Sequence, residues 1–107
     1  MQTYDALLEA LADPMRREIV ERLRRAPSAV SVLADGLPVT RPAISQHLKV
    51  LRDAGLVDFD REGTRNVYRV KPEGLGPLRE WLEDFWQDAL AAFAAHVNQN
   101  QPGGSNA

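Results

Sequence analysis

The stretch VSVLADGLPVTRPAISQHLKVLRDAGLV, residues 30–57, decides the fold of this 107-residue chain. Ser31 can cap a short helix, and we expect Gly36 to end that helix in a left-handed conformation. Thr40 can cap a longer helix that runs to about Ala54 and is closed by Gly55. A short helix, a tight turn and a longer helix predict a helix-turn-helix, whose second helix enters the major groove of DNA.

The longer helix, residues 40–54, has two different faces at about 3.6 residues per turn. An apolar side should pack on the other helices: Ile44, Leu48, Leu51 and Gly55. Five side chains that are short, polar or charged should point away from the core: Pro42, Ser45, Gln46, Lys49 and Asp53. Such a face suits a helix that enters the major groove.

The polar side chains of this helix have different expected roles on DNA. Ser45 and Gln46 can hydrogen-bond to base edges, and Gln46 favours adenine, while Arg41 can pair with guanine or with a phosphate. The residues better placed for the phosphate backbone are Thr40, Lys49 and Arg52. His47 lies on the flank of the helix, so a phosphate contact and a hydrogen bond within the domain both stay open.

The flanking segments complete a mainly α-helical fold with about five helices and a two-stranded wing. We expect helices over residues 4–12 and 14–25, with Asp13 as the cap of the second, and a long final helix over residues 73–97. Residues 57–70 alternate apolar and polar around a charged tip, which predicts a β-hairpin. Arg61 and Arg65 at its tip should contact the minor groove or its phosphates. Residues 1–97 thus form one domain, and residues 98–107 a disordered polar tail.

The charge of the chain is unevenly distributed. The net charge is −2, but residues 36–71 hold seven basic and four acidic side chains, whereas residues 72–107 hold one and five. The basic middle favours an anionic partner such as double-stranded DNA. The chain has no cysteine, no run of eighteen apolar residues and no N-terminal signal pattern. We therefore expect a cytoplasmic protein that contacts no membrane.

The run TRPAISQHLKVLRDAGLV at residues 40–57, followed by REGTRNVYRV at 61–70, resembles the ArsR family of bacterial winged helix repressors. The resemblance extends from about Leu7 to Phe93. It implies a homodimer whose helices at residues 40–54 enter successive major grooves, with the hairpin as a wing over the backbone. It also implies repression of a promoter with a palindromic operator, and release by an inducer whose identity the sequence leaves open.

The metal-binding residues of that family are missing from this chain. Its metal-sensing members carry a Cys-x-Cys pair where this chain has Ala29 and Ser31. The last helix offers only His96 beside Asp84 and Asp88, and zinc usually needs several nitrogen or sulfur ligands. We expect no metal and no cofactor. The acidic row Glu80, Asp84 and Asp88 is interpreted as a solvated face that repels DNA, with a hard cation as the alternative.

The apolar residues of the last helix cover a wider arc than one core requires, which predicts a second apolar partner. The leucines of the first helix have little else to bury against, so dimerisation accounts for both sets. The expected dimer interface comprises Tyr4, Leu7, Leu8, Leu11, Leu78, Trp81, Leu82, Phe85, Trp86, Leu90 and Phe93. An aromatic ligand pocket between Trp81 and Trp86 is the alternative to plain packing.

Two other classes of function stay open beside a DNA-binding repressor. One is a ligand-gated sensor, in which an effector changes DNA affinity. The other is a dimeric protein-interaction module that keeps the fold without binding DNA, for which Asp53, Asp58 and Asp60 near the basic face are the support. Catalysis is not expected, because Ser45 and His47 are two residues apart on a helix and diverge.

Overall fold

The computed structural model describes residues 3–100 and has the predicted helical architecture. Five α-helices, three strands and one 3₁₀ turn follow one another within these residues. They are α1 (Thr3–Leu11), α2 (Pro14–Arg25), β1 (Ser28–Ala29), α3 (Val30–Gly36), α4 (Arg41–Asp53), β2 (Val57–Glu62), β3 (Arg65–Val70), the 3₁₀ turn (Pro72–Leu75) and α5 (Gly76–Asn100).

The predicted caps of α2 and α4 are confirmed. The carboxylate of Asp13 accepts hydrogen bonds from the backbone N–H groups of Met15, at 2.7 Å, and Arg16, at 3.3 Å. The hydroxyl of Thr40 accepts one from the N–H of Ala43 at 3.3 Å. Gly55 follows α4 with φ of 86°, a conformation that side-chain-bearing residues rarely adopt. The start and end of the longer helix are therefore specified by its own sequence.

The sheet has three antiparallel strands in the order β1-β3-β2, so the prediction of a two-stranded wing is incomplete. β2 and β3 form the predicted hairpin, in which Phe59 faces Tyr68 with ring centroids 5.2 Å apart. The additional strand pairs Ser28 with Tyr68 and Ala29 with Val67. A strand of two residues carries no alternating pattern, so the sequence could not reveal it.

Three predicted boundaries differ from the structure. α3 begins at Val30 instead of after Ser31, since β1 delivers the chain directly into the helix. Gly36 is the last residue of this helix, as predicted, but it is not left-handed, because the positive φ angles of the described residues belong to Gly55 and Gly63. The last helix begins later than predicted, at Gly76 after the 3₁₀ turn, and continues to Asn100. Asn98 to Asn100 are thus helical, and the rest of the predicted tail lies outside the described residues.

The core lies where α1 to α4, the wing and the start of α5 meet. Its most completely buried side chains are Leu7, Ile19, Leu33, Ile44, Leu48, Leu51, Leu56 and Val57. Leu7 is 1% exposed, so the expectation that the leucines of α1 have little else to bury against is wrong for this residue. α4 contributes three leucine or isoleucine side chains to the core, which fixes the orientation of its outer face.

α5 extends away from the rest of the protein. Its 25 residues span about 38 Å at about 1.5 Å per residue, and the longest dimension of the molecule is 72 Å against 25 and 24 Å for the others. Leu78 is its buried residue, whereas residues 79–100 are exposed. Within residues 3–100, no helix is long and apolar enough to cross a membrane.

Candidate nucleic-acid interface

The outer face of α4 presents the side chains that the sequence predicted for DNA. Ser45, Gln46 and Lys49 are exposed, whereas Ile44 and Leu48 on the opposite side are fully buried. Thr40, Arg41, Pro42 and Arg52 are exposed as well. Because the buried side anchors the helix in the core, the exposed side is held as a rigid surface.

Several cations near α4 are paired with acids of the same chain. The ammonium of Lys49 lies 3.0 Å from the carboxylate of Asp53, one helical turn later, with both side chains 67% exposed. The guanidinium of Arg69 lies 3.0 Å from the carboxylate of Asp60 on the neighbouring strand. Pairs this exposed stabilise the fold little, so phosphates can compete for their cations.

Arg52 connects α4 to the wing. Its guanidinium contacts the carboxylate of Asp58 at 3.1 Å and lies 4.5 Å from the ring centre of Phe59. The backbone N–H of Phe59 also donates to Asp58 at 2.8 Å, and this bond, followed by that from Arg52, lowers the pKa of the Asp58 carboxyl. Asp58 and Asp60, the sequence support for a protein-interaction surface, are thus engaged within the domain.

Arg41 and Arg65 differ from these paired cations. Within residues 3–100, neither guanidinium forms an ion pair or a hydrogen bond. Both line one groove of about 350 Å³ between α4, the start of α3 and β3. The residues around this groove are Ala29, Val30, Ser31, Arg41, Ser45, Arg65, Asn66 and Tyr68. Two guanidinium groups without an ion pair therefore line the same groove, where α4 adjoins the wing.

Sequence reasoning missed three polar residues of this groove: Ser31, Asn66 and Tyr68. Asn66 and Tyr68 lie two positions apart on β3 and so share one face of the strand. Pairing of β1 with β3 brings the start of α3 beside that face. Because this pairing was not predicted, no local pattern indicated that these residues are neighbours of Arg41.

The other two predicted contacts, His47 and Arg61, differ in exposure. His47 is half-buried and lies near Asp13, the cap of α2. The pKa of Asp13 is lowered chiefly by the hydrogen bond from Met15. Arg61 is exposed at the wing tip, where its guanidinium donates to the carbonyl oxygen of Gly63 at 3.1 Å.

Arg16 of α2 packs against the end of α1. Its guanidinium donates to the carbonyl oxygens of Ala10, at 2.6 Å, and Glu9, at 3.2 Å, and its side chain is only 17% exposed. Arg17 binds the next carbonyl, that of Leu11, at 2.7 Å. These bonds satisfy the C-terminal carbonyls of α1 and hold it against α2.

α5 carries a continuous row of exposed apolar side chains. Leu82, Trp86, Leu90, Phe93 and Val97 follow one another at intervals of three or four residues and are 41% to 66% exposed. Such spacing places them on one side of the helix, and they are called the apolar stripe below. At its start lies a largely apolar groove of about 730 Å³, lined by Leu75, Leu78, Arg79, Leu82, Glu83, Phe85 and Trp86.

The remaining aromatic side chains connect α5 to α1. The rings of Tyr4 and Trp81 stack with centroids 5.4 Å apart, and Phe85 lies 5.6 Å from Trp81. Trp81 therefore packs on its own chain and does not line the groove beside Trp86. Leu78 and Leu7 are core residues, whereas Leu8 on α1 is 43% exposed.

The described part of the chain holds no group of three or more histidine or acidic side chains close enough to bind a metal ion. His96 on α5 contacts the side chain of Asn100 one turn later. The acidic row Glu80, Asp84 and Asp88 is exposed to solvent.

Comparison with known proteins agrees with this architecture. A family model described as a helix-turn-helix domain matches residues 11–58. The HTH-type transcriptional regulator Rv2034 of Mycobacterium tuberculosis is 54% identical over 101 residues, which cover 92% of this chain and 94% of that protein. Two further relatives from Bacillus subtilis carry the word repressor in their names.

Solved structures give the same result. An ArsR-like transcriptional regulator from Rhodococcus sp. RHA1 matches with a TM-score of 0.81 and 32% identity over 94% of both chains. The homodimeric winged helix-turn-helix DNA-binding domain Mb0332 from Mycobacterium bovis, a possible ArsR-family regulator, matches with a TM-score of 0.66 and 28% identity over 82% of both chains. Rv2034 is 54% identical over 92% of this chain, and the ArsR-like regulator from Rhodococcus is 32% identical over 94% of it. The chain therefore belongs to the ArsR family of winged helix-turn-helix transcriptional regulators.

Proposed function

We propose that this regulator is a cytoplasmic repressor that binds a palindromic operator as a homodimer. α4 would lie in the major groove, and the wing of β2 and β3 would lie over the adjacent backbone. The observation that carries the proposal is the exposed outer face of α4, which stands on a fully buried apolar side and adjoins two unpaired arginines. Occupation of the operator would exclude the transcription machinery from the promoter.

Side chains of α4 would divide the work on DNA. Gln46 is exposed on the outward face and can read a base edge through its amide. Lys49 would exchange its exposed contact with Asp53 for a phosphate, since such a pair contributes little to folding. Phosphate contacts release counterions, so the affinity should fall steeply as salt is raised.

The apolar stripe supports the homodimer. Its five side chains remain 41% to 66% exposed within residues 3–100. A contiguous row of exposed apolar side chains marks an interaction site. A two-fold axis lets the same stripe of a second copy cover it. Leu8 on α1 is exposed as well and is available to a partner, whereas Leu7 and Leu78 are buried in the core. The solved relative from Mycobacterium bovis is a homodimeric winged helix-turn-helix DNA-binding domain.

The dimer sets the spacing of the operator. Two copies of α4 that enter successive major grooves on one face of DNA require half-site centres roughly 10 base pairs apart, or a multiple of that spacing. An inducer would act by changing the affinity of this dimer for DNA, and DNA would change the affinity for inducer by the same factor.

Selection from a library of random duplexes tests the proposal. The purified protein is equilibrated with the library at near-physiological salt, bound duplexes are amplified over several rounds, and the selected sequence is compared with scrambled DNA in a binding titration. Recovery of a palindrome that is bound tightly by two protein chains is the expected result. Equal binding to selected and scrambled duplexes would overturn it and favour a protein-interaction module.

A further inference from the structure

We propose that the groove between α4, the start of α3 and β3 is a seat for a single DNA phosphate, held jointly by Arg41 of α4 and Arg65 of the wing. This inference rests on the proposed DNA-binding function and assigns both arginines to the same group of the ligand. It also assigns Ser31, Asn66 and Tyr68, which line the groove with them, to the DNA interface.

The charge of the groove is the first argument. Arg41 and Arg65 are exposed and unpaired within residues 3–100, although Lys49, Arg52 and Arg69 nearby all contact acids. The residues that line the groove include no aspartate or glutamate. Two guanidinium groups on one concave surface repel each other unless an anion lies between them. A phosphate diester supplies that charge and accepts from both planar donors.

The polar lining is the second argument. Asn66 is half-buried on β3, and its Oδ1 is buried without a hydrogen-bond partner among the described residues. A buried polar atom left without a partner is costly, so a donor that enters the groove, from water or from a ligand-bound side chain, would satisfy Oδ1. An arginine drawn inward by a phosphate can donate to Oδ1, and rotation of the amide lets Nδ2 donate to the phosphate instead. The hydroxyls of Ser31 and Ser45 add further donors.

The architecture is the third argument. β1 pairs with β3 at Ser28 and Ala29, so the sheet itself holds the start of α3 beside Asn66 and Tyr68. α3 contacts α4, β1 and β3, so it connects α4 to the wing behind the groove. A phosphate seated there would fix the depth of α4 in the major groove, because the same group is held from the helix and from the wing. Contacts of this kind position a protein on DNA and do not read its sequence.

The experiment couples protein variants to single neutral phosphates. A duplex selected by the wild-type protein is synthesised with one methylphosphonate at each backbone position in turn, and dissociation constants are measured for the wild type, Arg41→Ala and Arg65→Ala. At the seated phosphate, the wild type should lose roughly 10- to 100-fold in affinity, as expected for hydrogen bonds to a charged group. Each single variant should bind the unmodified duplex more weakly and lose several-fold less than the wild type from the modification, because one of the two contacts to that phosphate is already gone.

Arg61→Ala is the matched control, because Arg61 is an exposed wing cation that does not line the groove. It should keep the full loss at that position. Asn66→Asp provides an independent test: its carboxylate should weaken binding to selected and random duplexes by the same factor, and a methylphosphonate at the seated phosphate should relieve that repulsion.

The outcomes separate the seat from the proposed function. If the wild type prefers no duplex in the selection, DNA-specific binding itself fails. If it does bind, but Arg41→Ala and Arg65→Ala suppress the methylphosphonate effect at two different positions or at none, the joint phosphate seat is overturned while the operator-binding function stands.

Discussion

Replacement of Phe93 by alanine should weaken the homodimer without unfolding the subunit. Phe93 is 66% exposed on the apolar stripe, so roughly 130 Å² of an aromatic side chain of about 200 Å² can be buried in an interface. At about 25 cal/mol per Å², complete burial would contribute roughly 3 kcal/mol per copy. Because a two-fold interface contains the residue twice, burial of only half this area still contributes about 3 kcal/mol per dimer.

That free energy corresponds to roughly a 100-fold increase in the dimer dissociation constant. Sedimentation velocity over a range of protein concentrations measures it directly. Gln87→Ala serves as the matched control, because it truncates an exposed residue of the same helix outside the apolar stripe. Alanine favours a helix at both positions, so far-ultraviolet circular dichroism should stay unchanged. Dissociation constants that agree within about threefold for Phe93→Ala and wild type would refute the stripe as the interface.

Three further predictions concern recognition, pH and packing. Gln46→Ala should lower affinity for the selected duplex and not for random DNA, whereas Lys49→Ala should weaken both and flatten the salt slope by about one unit; equal losses from Gln46→Ala on both duplexes would refute base reading. Because its pKa is lowered in the folded protein, Asp13 stabilises the fold above about pH 4 and loses this effect as pH falls through the lowered value. Urea unfolding of Asp13→Asn, which keeps a capping side chain, should therefore depend less on pH in that range, and an identical pH profile would contradict this. Gly74→Ala places a methyl group against a backbone carbonyl of the loop after α4 and should destabilise by about 1 to 3 kcal/mol in thermal unfolding, whereas Gly76→Ala meets open space; equal melting temperatures would exclude the close contact.

The elements that the sequence predicted correctly are those with a local physical signature. α4 combines a capping threonine, an apolar side of three buried residues and a glycine with positive φ, and each of these acts within a few residues along the chain. The hairpin likewise follows from alternation around a glycine-containing tip. Local signals of this kind require no knowledge of what lies elsewhere in the fold.

The parts that the sequence did not predict depend on contacts between distant segments. β1 exists because Ser28 and Ala29 meet β3 some forty residues later, and two residues are too few to show a period. The groove at Asn66 follows from that pairing, so its polar lining was missed as well. Ion pairs between distant segments could not be predicted either. Arg52 was expected to contact a DNA phosphate, but the fold places the carboxylate of Asp58 3.1 Å from its guanidinium.

The distribution of charge explains how a chain with a net charge of −2 can attract a polyanion. The acids Glu80, Asp84 and Asp88 lie on α5, which extends away from the core, and charges are screened over about 8 Å at physiological ionic strength. Acids nearer α4 are occupied by cations of the same surface. At the junction of α4 and the wing, Arg41 and Arg65 form no ion pair within residues 3–100, and Glu62 is the acid that faces Arg65 across the hairpin. We therefore expect the local charge at that junction, and not the sum over the chain, to determine where DNA binds.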